Sequence, residues 1–97
     1  MANYRISEDA KADLQRIYRH GVREFGEEQA DLYFDAFFER FEELADHPDM
    51  YQSVVDIRKG YRRSVCGVDS IYYRVVDGTV EIMRILGQQD VDQWLSH

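Results

Sequence analysis

Residues 70–86 read SIYYRVVDGTVEIMRIL, two β-rich runs joined by Asp77-Gly78. Asp-Gly in such a setting is the preferred two-residue type I′ hairpin, because both central positions take positive φ and the turn matches the twist of the strands. A two-residue loop fixes the register. Val76 then faces Thr79, Val75 faces Val80, Arg74 faces Glu81, Tyr73 faces Ile82, Tyr72 faces Met83 and Ile71 faces Arg84. Side chains alternate between faces, so Ile71, Tyr73, Val75, Val80, Ile82 and Leu86 share the side expected to meet the rest of the core. Tyr72, Arg74, Glu81 and Met83 take the other, and Arg84 falls on the mainly apolar side.

Outward from this hairpin, a period of two recurs near Tyr61–Cys66, which predicts a three-stranded meander. Further upstream the period lengthens. Behind Ser7, a good helix N-cap, Ala10, Leu14, Ile17, Tyr18, Gly21 and Phe25 recur at spacings of three and four, with Glu8 and Asp9 in the first turn. Gly26 is expected to supply a left-handed stop. A second helix runs from about Glu27 to Asp46, with Ala30, Tyr33, Phe34, Phe37, Phe38, Phe41, Leu44 and Ala45 on one broad side, and Pro48 ends it. The short joint predicts an antiparallel helical hairpin whose outer surface is acidic, since Asp31, Asp35, Glu39, Glu42, Glu43 and Asp46 fill the remaining positions. Tyr4-Arg5-Ile6 reads as a short first strand, and a C-terminal helical turn is expected from Asp90 through Trp94 and Leu95. The expectation over residues 1–97 is one α+β domain, an N-terminal strand and helical hairpin packed on a small antiparallel sheet.

Composition bounds the function classes. The chain has 97 residues, 44% hydrophobic and 32% charged, with one proline, which reads as globular. Its formal net charge of -7 is the reverse of a nucleic-acid binder's footprint, so no direct nucleic-acid contact is expected. The acid is unevenly placed. Residues 1–50 hold 6 basic and 13 acidic side chains, whereas residues 51–97 hold 6 of each. Cys66 is the only cysteine, so no intrachain disulfide forms and a reducing cytosol fits best. Neither an apolar leader nor a membrane-length run is present, so the expectation is a cytoplasmic protein without membrane contact. His20, His47 and His97 lack metal-ligand spacing, no glycine-rich phosphate loop occurs, and Cys66 has no activating base beside it in sequence. The residues thus predict no cofactor, no metal and no catalytic set.

Four strings, in this order, resemble the ParE/RelE toxin family over nearly the whole chain. They are Ala10-Lys11-Ala12-Asp13-Leu14, Leu44-Ala45-Asp46-His47-Pro48, Ile57-Arg58-Lys59-Gly60-Tyr61-Arg62-Arg63, and the hairpin Ile71 to Gly78 followed by Glu81 to Leu86. The resemblance, closer to the ParE branch, implies a bacterial toxin of a type II toxin–antitoxin system, neutralised in a hetero-oligomer by a ParD-like antitoxin whose flexible segment folds onto it. ParE-like members poison DNA gyrase, whereas RelE-like members cleave messenger RNA on the ribosome. Cleavage through a 2′-hydroxyl needs a proton acceptor, a proton donor and cations for the phosphorane. The chain departs from RNA-cleaving relatives there: Asp69 or Ser70 stands where they carry an arginine, Gln88-Gln89 replace basic residues, and Leu95-Ser96-His97 lacks their tyrosine. Gyrase poisoning by binding is the reading favoured; a RelE-type endoribonuclease, or a degenerate toxin that only binds antitoxin, are the alternatives.

The basic cluster Arg58, Lys59, Arg62 and Arg63, with Arg74 and Arg84, stands out in an acidic chain. Arginine forks complement acidic antitoxin segments, so Arg58, Arg62, Arg63, Arg74 and Arg84 are candidate antitoxin contacts. The competing reading pairs Arg74 with Glu81 across the hairpin, leaves Arg58 and Lys59 as solvated loop charges, and packs the stem of Arg84 at an edge. Tyr18 and Phe38 are candidates for an apolar groove that takes an antitoxin helix, the bulk of the aromatic set being core. Trp94 is either the lid of the core or an anchor, and with Leu95 is a candidate for contact with the target.

Overall fold

The computed structural model describes residues 3–51 and 58–87 together with Val91 and Trp94. Its elements are β1 (Tyr4–Ile6), α1 (Glu8–Phe25), α2 (Glu27–Asp46), β2 (Arg62–Cys66), β3 (Asp69–Val76) and β4 (Thr79–Leu86). The helices pack on one face of a four-stranded sheet of order β1-β4-β3-β2. The β2-β3-β4 meander is antiparallel, and β1 adds a parallel edge to β4, which makes the α+β domain's sheet mixed.

Both helix boundaries follow from local chemistry. The Ser7 hydroxyl accepts from the Ala10 N–H at 3.0 Å, capping α1, and donates to the Met83 carbonyl at 2.8 Å. Gly26 stops α1 at φ 88 and ψ 164, in the extended positive-φ region that only glycine adopts without strain rather than in the left-handed helical one. Its N–H bonds the Val22 carbonyl and its own carbonyl accepts from Ala30, so one residue ends α1 and begins α2.

The core lies between the helices and the sheet. Ala10, Leu14 and Ile17 of α1 and Phe37, Phe41 and Leu44 of α2 meet Cys66, Ile71, Tyr73, Val80, Ile82 and Ile85. Each fully buried Phe or Leu contributes roughly 1.5 to 3 kcal/mol relative to exposure. Tyr73 is wholly buried, yet its hydroxyl reaches out of the core to donate to the Pro48 carbonyl at 2.8 Å. Burial pushes its phenol up to about 12.

Asp77 and Gly78 have φ of 51 and 75, as the type I′ hairpin demands, and the pairs from Val76↔Thr79 to Tyr73↔Ile82 hold as expected. The expected register fails beyond them. A bulge between Tyr72 and Tyr73 leaves Met83 without a partner, so Tyr72 pairs with Arg84, Ile71 with Ile85 and Ser70 with Leu86. Two placements are thereby corrected: Ile85, not Leu86, enters the helix-side core, and Arg84 leaves the apolar face for the one that carries Tyr72. Period-two reading cannot see one extra residue, because an inserted residue reverses the faces of everything after it.

The bulge falls where β1 ends. Beyond Ile82 the outer edge of β4 has no strand beside it among the described residues, and α1 supplies side chains instead. Ser7 donates to Met83, Asp13 accepts the Ile85 N–H at 2.9 Å, and Arg16 donates to the Ile85 carbonyl at 3.2 Å. An open strand edge invites pairing with other chains, and here it is satisfied from within.

Candidate functional site

On the sheet face away from the helices, β2 to β4 present Arg63, Tyr72, Arg74, Glu81, Arg84 and Leu86, and β1 adds Arg5 in register with Glu81. Tyr72 and Leu86 are buried there beneath Val91, with Tyr61 and Trp94 packed against them. Val91 is helical and donates to the Gly87 carbonyl at 3.1 Å, and Trp94 is helical as well; the other residues of the expected C-terminal turn lie outside the described ones. The Trp94 ring lies 5.5 Å from Tyr72 and 5.8 Å from Tyr61. Two guanidiniums approach the same indole, Arg58 at 4.6 Å and Arg84 at 5.9 Å. Trp94 is therefore the lid of a second small core, with cations against it.

Charge on this face is organised by acceptors. Glu81 takes Arg74 Nε at 2.7 Å on one oxygen and Arg5 at 2.6 Å on the other, a row that spans three strands. The Arg74 hydrogen bond, aided by both positive charges, holds the Glu81 carboxyl below its ordinary range, and the same bond raises Arg74. Arg63 Nε donates to the Ser70 hydroxyl at 2.9 Å. Arg84 makes a two-pronged contact with Asp13, Nε at 2.8 Å and Nη2 at 3.1 Å, and Asp13 is only 4% exposed.

The face thus gathers Arg58, Arg63, Arg74, Arg84 and Trp94 from the sequence-stated candidates. Arg62 does not join them. It pairs with Tyr73 and points to the helix side, where it donates to the Tyr51 carbonyl at 2.6 Å and meets Asp49 at 3.5 Å. Tyr18 and Phe38 lie on the helical hairpin. The Tyr18 hydroxyl donates to Asp31 at 2.6 Å, a bond that pushes its phenol up to about 12, and its ring meets Phe34 edge-on at 5.4 Å. Gln15, Tyr18, Arg19, Asp31 and Phe34 line an open depression there. Phe38 is half-buried between Phe34 and Phe41, as part of the core's rim. Leu95 lies outside the described residues.

Arg5, Tyr61 and Tyr72 join the face without having been singled out as site residues, and Asp13 supports it from α1. The parallel register of β1 was the missing signal for Arg5. The thiol of Cys66 is buried and pushed up, chiefly by loss of solvent, which disfavours the reactive thiolate. Among the described residues no group of three or more His, Cys, Asp or Glu could hold a metal ion, and no helix is long and apolar enough to cross a membrane.

Known proteins share both sequence and fold with this chain. The family described as ParE toxin of type II toxin-antitoxin system, parDE, matches residues 4–91. Toxin ParE1 of Caulobacter vibrioides is 41% identical over 88 residues, covering 91% of each chain. Toxin ParE1 of Mycobacterium tuberculosis is 31% identical over 94 residues, covering 95% of this chain and 96% of its own. Among solved structures, a chain of the chromosomal ParDE TA system from P. aeruginosa superposes with a TM-score of 0.76 at 25% identity, over 88% of this chain and 94% of that one.

Proposed function

Since the chain belongs to the ParE toxin family of type II toxin–antitoxin systems, we propose that it poisons DNA gyrase by binding, in the bacterial cytoplasm, until a ParD-like antitoxin covers it. The observation that carries this reading is the sheet face away from α1 and α2, where arginines and a stacked tryptophan gather on a chain whose net charge is -7. A cationic, aromatic-centred surface suits a protein partner with acidic side chains.

Asp69 and Ser70, the two departing positions that lie among the described residues, have structural tasks here, which supports binding over catalysis. The Asp69 carboxylate meets the Tyr33 hydroxyl at 3.0 Å, and Ser70 accepts from Arg63.

The test is incubation of the purified chain with gyrase, ATP and supercoiled plasmid, with and without the antitoxin encoded beside it. Linear DNA that disappears on addition of antitoxin is the expected result. Intact plasmid in the presence of a folded, antitoxin-competent chain refutes gyrase as the target, and cut coding transcripts in cells would then assign the toxin to the RNA-cleaving class.

A further inference from the structure

On the sheet face away from α1 and α2 four arginines have protein acceptors: Arg5 and Arg74 share Glu81, Arg63 bonds Ser70 and Arg84 bonds Asp13. Arg58 differs. Its guanidinium lies over the Trp94 ring at 4.6 Å, and its buried Nε has no hydrogen-bond partner among the described residues. A guanidinium is planar with its donors along the edge, so a ring stacked on its face satisfies the π surface and leaves the N–H groups unspent. Buried donors without acceptors are rare in folded proteins, and a charged donor is the least tolerated kind.

We propose that Arg58 and Trp94 form a carboxylate subsite, in which an Asp or Glu side chain of the antitoxin takes the Nε edge of Arg58 stacked on the indole. The inference rests on the reading that the antitoxin covers this face. Three features carry it. The Nε edge is unoccupied by any described acceptor while the neighbouring arginines are engaged. Stacking on the indole presents the fork in one plane, the geometry a carboxylate meets with two parallel bonds. The indole lies 4.6 Å from the guanidinium, so a carboxylate arriving at its edge changes the surroundings of Trp94.

A carboxylate fits better than a nucleic-acid backbone. Phosphate recognition draws on several free cations along a strand. Here the adjacent forks are already bonded within the protein, and the exposed face of α2 with Asp31, Asp35, Glu39 and Glu42 is acidic.

Trp94 is this chain's only tryptophan, so with any tryptophan of the antitoxin replaced by phenylalanine the emission comes from this residue. The purified chain is titrated with the antitoxin encoded beside it, for wild type, Arg58→Gln, Arg58→Lys and the pair Arg63→Gln/Arg74→Gln, each shown by thermal melting to be folded. The expected result is a saturating change in Trp94 emission, with affinity lowered at least about tenfold in Arg58→Gln. Arg58→Lys should fare little better, because an ammonium lacks the planar fork. If the paired variant weakens binding while both Arg58 variants bind as wild type, the subsite is overturned and the antitoxin face stands. If every variant binds as wild type and the emission is flat, the antitoxin lies elsewhere and both readings fall. A single-stranded oligonucleotide that shifts the Trp94 emission, where the antitoxin does not, would overturn the carboxylate assignment.

Discussion

Replacing Asp13 by alanine should cost more stability than any other substitution of a charged residue in the described structure. The carboxylate is 4% exposed and accepts from Ile85 N–H at 2.9 Å and from Arg84 at 2.8 and 3.1 Å, with Arg16 at 3.5 Å. An amide left unpaired in a buried edge costs about 1 to 3 kcal/mol. Breaking a buried ion pair from one side costs about 3 to 5 kcal/mol, and water recovers part of that for Arg84 because its side chain is 26% exposed. The combined loss should be about 3 to 4 kcal/mol, which in a domain of this size lowers the melting temperature by about 15 to 25 °C. Asp13→Asn keeps an acceptor for Ile85 and should lose about 1 to 2 kcal/mol. In the double variant Asp13→Leu/Arg84→Met the guanidinium is removed together with the carboxylate it bonds, and most of the loss attached to that pair should return. Urea unfolding followed by circular dichroism measures all three. A loss below about 0.5 kcal/mol for Asp13→Ala, the level of an ordinary surface change, would refute the view that this carboxylate stands in for a missing strand.

Other expectations follow from the same contacts. Gly67 has φ 64, and a Cβ there would fall 2.4 Å from the Tyr33 ring, so Gly67→Ala should destabilise by about 2 kcal/mol or more in urea unfolding. Tyr33→Phe removes a hydroxyl that lies 2.9 Å from the Cys66 carbonyl, 3.0 Å from Asp69 and accepts from Val68 N–H, and should cost about 1 to 2 kcal/mol by the same assay while loosening the β2–β3 turn in hydrogen exchange. Tyr18 should titrate near about 12 by phenolate absorbance and return toward 10 in Asp31→Asn. The sign is set by its raised folded-state value: the folded chain holds this proton more tightly, so the stabilisation is complete below pH about 10 and is lost as pH rises through about 12.

Much of this architecture is legible because its signals are local. Ser7 caps α1, Pro48 follows α2, and Asp77-Gly78 sets four strand pairs, each from a handful of adjacent residues. The failures are non-local. A three-residue strand carries no mark of its partner or direction, so β1 beside β4, and Arg5 beside Glu81, emerge only in three dimensions. Met83 looks like any strand residue until β1 ends beside it, and the bulge then moves Arg84 and Leu86 to the other face. Asp13 sits in an ordinary helix opening, and only the uncovered edge of β4 reveals why a carboxylate is buried there. The candidate site follows the same division: its arginines are conspicuous in an acidic chain, whereas Tyr61 and Tyr72 acquire meaning only when Trp94 closes over them.

The separation of charge between the two sides gives the molecule a sense of direction in solution. Acidic α2 faces one way and the arginine row the other, so an approaching partner with clustered acid experiences a torque that turns the sheet toward it before contact. Two proteins of like net charge can then associate quickly, with a rate that falls as salt is added even though their overall charges repel. For such a pair, net charge would mispredict even the sign of the salt effect, and the orientation of the dipole would decide how fast the two find each other.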